Sequence, residues 1–324
     1  MTNESVQDTF SDLRGTSASP AQVRQRLRLL MAIVAGSVTV FVGNYAFFVR
    51  TTLGQELDNA ALVGAEHEPQ GVITEAWDLL DIISVASLAV ACVAIGAVAL
   101  LRRRVAVAFA ALATIGVANV ATQLLKRVIL ERPDLIGAGA INSLPSGHAT
   151  VATTVAVGLV MVTAPRWRSI VALVSVGFPI AVAVAVVTAS WHRPSDSIAA
   201  FCVVLGVAAA SLAVVVAAFG FDAAARPPRW LRRSVLAIVS LALVLLASSS
   251  IIGLWTIRNN RRDGSSQQQW ESVAYASSTA GISAAAIAMM LCLVLGLRGI
   301  AVGHGGRTQP GSTTAAIRAS TEPR

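Results

Sequence analysis

Charge is scarce in this sequence. Asp, Glu, Lys and Arg together make up 13% of its 324 residues, while hydrophobic residues make up 55%. A soluble domain averages about 25% charged residues. With a mean hydropathy of +0.69, the composition is that of a membrane protein. Lysine is almost missing: Lys126 stands alone among 24 arginines. Histidine occurs four times, as His67, His148, His192 and His304. The three cysteines, Cys92, Cys202 and Cys292, are far apart in apolar runs, which excludes metal-ligand spacing and reads as small packing residues. No basic stretch is interleaved with stacking aromatics, so the net charge of +8 does not point to nucleic acid. No internal repeat and no mid-membrane ionisable residue is present, which argues against a transporter or channel. No clustered His, Cys, Asp or Glu set suggests a metal, and no cofactor is expected.

Long apolar runs are abundant. Eight are of roughly the length that spans a bilayer, about 20 residues: 29–49, 79–101, 105–125, 148–164, 169–190, 197–219, 234–256 and 272–297. The expected fold class is therefore all-α, a polytopic transmembrane bundle of about eight helices. Placing the N-terminus in the cytoplasm puts 17 of the 25 basic residues on the cytoplasmic side and 12 of the 17 acidic residues outside. The positive-inside rule supports that orientation, with both termini cytoplasmic. All six tryptophans fall at expected helix ends, as an interfacial belt requires.

The chain divides accordingly. Residues 1–28 form a cytoplasmic N-terminal tail without a cleavage pattern, and 29–219 a six-helix core. Within that core, 50–78 is an extracytoplasmic loop, and 126–148 and 190–196 are site loops. Residues 220–297 hold two additional transmembrane helices, for packing or for partner contact. The tail 298–324 is expected to be disordered and cytoplasmic. The stretch LGQELDNAALVG has apolar residues at helical spacing and reads as an interfacial helix or as an ordered loop without function.

Three polar clusters reach the extracytoplasmic face in this topology. The first is KRVILERPD, Lys126 to Asp134; the second PSGH, Pro145 to His148; the third SWHRPSD, Ser190 to Asp196. Pro145 suits the first turn of a helix, whose open N–H groups make an anion site. Gly147 permits close approach, Ser146 adds a hydroxyl, and His148 can exchange a proton with a bound anion. In the third cluster His192 and Asp196 are four apart. The carboxylate can fix the imidazole tautomer and leave the other nitrogen free to attack. Lys126 and Arg132 are cations for phosphate oxygens. Arg127 is either a further one or a headgroup anchor. Asn119 and Gln123 read as interhelical hydrogen-bond partners or as site lining. His67 and His304 read as solvated and inert.

Together, in this order, the clusters resemble the signature of the type-2 phosphatidic acid phosphatase superfamily, over about 70 residues from Lys126 to Asp196. The resemblance implies that His192 attacks phosphorus, oriented by Asp196, and that His148 protonates the leaving group and then activates water. It implies that Lys126, Arg132, Ser146 and the Gly147 N–H stabilise the phosphoryl oxygens without metal. The expected activity is hydrolysis of a lipid phosphate or lipid pyrophosphate at the extracytoplasmic leaflet of the cell membrane. The alternatives are a lipid-linked phosphotransferase and a catalytically impaired lipid-phosphate-binding protein.

The chain departs from the signature twice. Five residues, not six, separate Lys126 from Arg132-Pro133, so the strict lysine position is Leu125. The family arginine six residues before His192 is replaced by Val186, with Arg193 and Arg127 as possible substitutes.

Overall fold

The computed structural model describes residues 18–102, 104–223, 229–260, 266–298 and 300–301. Most of the expected N-terminal tail and nearly all of the expected C-terminal tail, His304 included, lie outside them. The described chain is helical apart from one short antiparallel pairing, β1 (Asp222–Ala223) with β2 (Ile300–Ala301).

The helices follow the apolar runs and add two where a loop was expected. They are α1 (Pro20–Phe48), α2 (Thr52–Ala65), α3 (Gln70–Asp81), α4 (Val85–Leu101) and α5 (Val105–Leu124), the last extended by a π turn (Leu125–Ile129). Next come α6 (Gly147–Val162), α7 (Arg168–Ser175), α8 (Gly177–Thr188), α9 (Pro194–Phe219), α10 (Arg229–Asn260) and α11 (Gln267–Gly296). Five spans are long and apolar enough to cross a bilayer: α1, α5 with its π turn, α7 with α8, α9 and α11. A sixth forms if α3 and α4, bent by 59°, count as one. Gly147–Val162 and Val239–Gly253 are apolar but shorter, so length and composition support five or six spans where eight were expected.

Local chemistry sets the helix starts. Ser19 and Ser84 cap α1 and α4 by accepting the N–H of Gln22 and Ser87, and Ser146 caps α6 by accepting that of Ala149. Pro194 occupies the first turn of α9. Pro145 does not do so in α6; it precedes the Ser146 cap, and Gly147 begins the helix.

The core is made of small and β-branched residues from α5, α6, α8 and α9, among them Ala111, Ala118, Ala152, Val157, Val186, Val204 and Ala208. Alanine surfaces let helix axes approach closely, and dispersion then supplies the contact. Helix α1 lies along α9, and α11 packs on α2, α9 and α10.

Arginines close one end of the bundle. Arg26 donates to the carbonyls of Leu295, Gly296 and Arg298, and Arg168 to those of Thr163, Leu297 and Ile300. These are carbonyls at or beyond the ends of α6 and α11, which have no intrahelical partner. The start of α1 and the end of α11 therefore meet. The three motif clusters lie at the opposite helix ends.

Candidate active site

The third cluster is built on a sharp reversal. Helix α8 ends at Thr188, Ser190 takes a left-handed conformation with φ of 56°, and α9 starts at Pro194. The Val186 carbonyl accepts the N–H of both Trp191 and His192, each at 3.0 Å. His192 is thereby held by the backbone at the very position where the signature has arginine. Its Nδ1 lies 3.0 Å from Asp196 Oδ2, and the same oxygen accepts the Arg193 N–H at 3.0 Å. Asp196 is fully buried and His192 nearly so. With Nδ1 engaged, Nε2 is the nitrogen left for chemistry.

The second cluster docks directly on the third. The Ser146 N–H donates to the Asp196 carbonyl at 3.0 Å, so the start of α6 is fastened to the first turn of α9. The Ser146 side chain takes the Ala149 N–H. The Gly147 and His148 N–H groups remain at the open helix end, where the helix dipole favours an anion. The His148 ring is near enough to His192 and Lys126 to interact with both charges.

The first cluster arrives through the π turn. A π turn takes one more residue than an α turn. The helix phase slips there by about 100°, the rotation that separates neighbouring residues. The Lys126 side chain lies within electrostatic reach of Asp196 and His148. Asn142 holds the turn from below, donating to the carbonyls of Lys126, Leu130 and Leu144.

Arg132 is almost fully buried, and its guanidinium is used from one side only. Nη1 stands 3.9 Å from Asp58 Oδ2. Nε and Nη2, the two donors of one fork edge, are buried without a partner among the described residues. Burial and the neighbouring Arg193 both pull its pKa below the usual guanidinium value. Arg193 in turn leaves its own buried Nε unpaired and makes a long contact, 3.5 Å, from Nη1 to Ser143 Oγ. Two like charges with idle donors are costly unless something negative joins them. Arg127 is exposed on the π turn, within electrostatic reach of Lys126.

Other expectations resolve differently. Asn119 donates to its own helix and, at 3.5 Å, to Thr154 of α6; Thr122 and Thr150 form a second bridge at 3.0 Å between the same helices. Gln123 is exposed beside Gly147. His67, expected to be solvated, pairs with Glu271 at 3.0 Å. The helix α2, expected at an interface, buries Gln55, Asp58, Ala61 and Ala65 instead. None of Asn44, Gln55, Asp58 or Asn142 was singled out in the sequence. For Gln55 and Asp58 a signal existed: they share a face with Ala61 and Ala65 at spacings of three and four, placing polar groups inside an apolar stripe. Among the described residues, no group of three or more His, Cys, Asp or Glu side chains is arranged around a metal position.

An Asp-oriented histidine, a second histidine at an open helix end and two guanidinium groups with idle donors thus meet at one end of an apolar bundle. Residues 105–220 match the model of the PAP2 superfamily. The segment from α5 to α9 is thus a PAP2-superfamily segment. No curated protein and no solved structure matches the chain. The PAP2 match covers α5 to α9 and all three clusters, and leaves α1 to α4, α10 and α11 outside. The match supports a phosphatase acting on phosphate esters, often those of lipids.

Proposed function

We propose that this protein is a membrane lipid phosphatase that hydrolyses a lipid phosphate or lipid pyrophosphate through a phosphohistidine, at the extracytoplasmic face. The observation that carries the proposal is the bond of His192 to Asp196, whose charge also reaches the buried Arg132 with its partnerless edge.

In this reading His192 Nε2 forms a bond to phosphorus as the bond to the leaving oxygen breaks. His148 gives that oxygen its proton. His148 then takes a proton from water, the resulting hydroxide attacks phosphorus, and the N–P bond breaks to release inorganic phosphate. Lys126, Arg132, Arg193, the Ser146 hydroxyl and the Gly147 N–H stabilise charge on the phosphoryl oxygens. Arg193 takes over from the arginine that Val186 replaces; it extends from the residue next to the nucleophile.

The aromatic surface beside His148 supports a lipid leaving group. The Trp191 ring centroid is 5.4 Å from that of His148, and Trp77 follows 6.3 Å beyond. Trp191 is 42% and Trp77 51% exposed, so both offer faces to an apolar chain.

The test is phosphate release by purified protein from phosphatidic acid and polyprenyl phosphates, without added metal. Wild type is expected to turn over, and His192→Ala and His148→Ala to lose at least a hundredfold, within the range of general acid–base and nucleophilic contributions. Equal release from all three proteins would overturn the assignment.

A further inference from the structure

Helix α2 lies outside the family match, yet it reaches both halves of the site. Gln55 Nε2 donates to the Pro133 carbonyl at 2.7 Å and to the Val49 carbonyl at 2.8 Å, while its Oε1 accepts the Leu135 N–H at 3.3 Å. One turn on, Asp58 Oδ1 accepts the Ser195 N–H at 3.0 Å, and Oδ2 accepts the Ser195 hydroxyl at 2.6 Å. The same Oδ2 faces Arg132 Nη1 at 3.9 Å. The Asp58 side chain has no solvent exposure. From α1, Asn44 adds a bond to the Ser195 carbonyl at 3.0 Å.

We infer that Asp58 is a positioning residue for phosphate binding: it draws on Nη1 so that Arg132 turns its Nε–Nη2 edge to the substrate, and it ties that arginine to the nucleophile's helix. The inference rests on the phosphate-binding reading above and adds to it a residue from outside the matched segment. A guanidinium has two usable edges and rotates readily about its stem. A carboxylate on one side selects which edge remains free. Ser195 is adjacent to Asp196 in the first turn of α9, so one carboxylate sets the relative placement of arginine and nucleophile. Burial and the nearby Asp196 charge push the Asp58 pKa up to about 7, against the pull of Ser195 and Arg132. A carboxyl kept there at that expense has a use that an amide would not serve equally.

The experiment is a double-mutant cycle read by anion binding. Orthovanadate affinity is measured at about pH 8, where Asp58 is ionised, by thermal shift on the full-length protein in detergent, for wild type, Asp58→Asn, Arg132→Ala and the double variant. Asp58→Asn keeps the shape and the Ser195 contact but sets an amide N–H against Nη1. It is expected to weaken vanadate binding about tenfold, as loss of a facing charge in a buried ion pair does. In the Arg132→Ala background the same change is expected to have no further effect, because the residue acts through Arg132. Asp58→Glu, which retains the charge, is expected to bind better than Asp58→Asn, and it carries the cycle should the amide variant not fold. Additive losses, or unaltered binding in Asp58→Asn, would overturn the inference. Wild type that binds vanadate but releases no phosphate from any lipid would overturn the proposed hydrolysis and leave Asp58 standing.

Discussion

At the scale of single residues, the site depends on which donors are already engaged. Arg193→Gln removes one cation and keeps a side chain of similar length. A hydrogen bond to a charged group contributes about 1.5–3 kcal/mol. The expected outcome is a ten- to hundredfold fall in kcat/KM for lipid phosphate, with the melting temperature little altered. Arg127→Gln, changing an exposed arginine that reaches the cluster only through Lys126, is expected to leave kcat/KM within twofold. Asp58 also leaves a mark on stability against pH. Its carboxyl titrates near 4 when unfolded and near 7 in the fold, so between those values the native state holds the extra proton. Stability is therefore expected to decline as pH rises from about 4 to about 7. Subtracting the Asp58→Asn denaturation curve isolates that decline; a flat difference would remove the raised carboxyl from the account. The motif residues were legible because proline, glycine and histidine are rare inside apolar runs. Asp58 was not, because its partners are 74 and 137 residues away along the chain.

At the scale of elements, backbone geometry brings the cations and the nucleophile together. The helix that carries Lys126 ends in a π turn, which neither composition nor periodicity announces. The helix α2 was legible as a helix but not as a buried one. Its amphipathic spacing is equally suited to a membrane surface, and only the seat on α11 decides. Gly64 is what allows that seat, since a side chain there would collide with the Glu271 carbonyl. Gly64→Ala is expected to cost about 1–3 kcal/mol, as overpacking does, and to lower the melting temperature. Because α2 carries Asp58, phosphate release should fall with it. Unchanged stability in the alanine variant would show that α11 does not pack there. The last two helices, read from sequence as packing or partner surfaces, supply at least the packing: Tyr275 of α11 meets Thr188 at 2.8 Å, at the end of α8.

At the scale of the whole molecule, composition and the long apolar runs were enough for an all-helical membrane bundle, whereas the number of crossings was not. Helix α6 shows why. Its run is apolar throughout but only 16 residues long. A helix enclosed by other helices need not match the bilayer's thickness. The orientation predicts a labelling pattern. Cysteine placed at Ala140, in the exposed loop between the π turn and α6, is expected to react with a membrane-impermeant maleimide on intact cells. Cysteine at Arg102, at the arginine end, is expected to react only after lysis. The reverse pattern would invert the molecule. The tryptophan pair separates two kinds of leaving group. Trp77→Ala with Trp191→Ala is expected to raise KM for a lipid phosphate about tenfold, roughly the value of one aromatic contact. Turnover of glycerol phosphate should be unaffected, and equal losses on both substrates would return these rings to simple anchoring.

The bond pair at Val186 has a consequence for how such a site can drift. A main-chain oxygen is the same atom whatever residue carries it. The hydrogen bonds that present His192 therefore need no particular side chain at 186, and Val186 is left to pack in the core. A cation carried by Arg193 rather than by residue 186 would leave the backbone anchor of the nucleophile unaltered. Lineages of this fold should accordingly show their lost cation reappearing at loop positions around the nucleophile, rather than anywhere on the preceding helix.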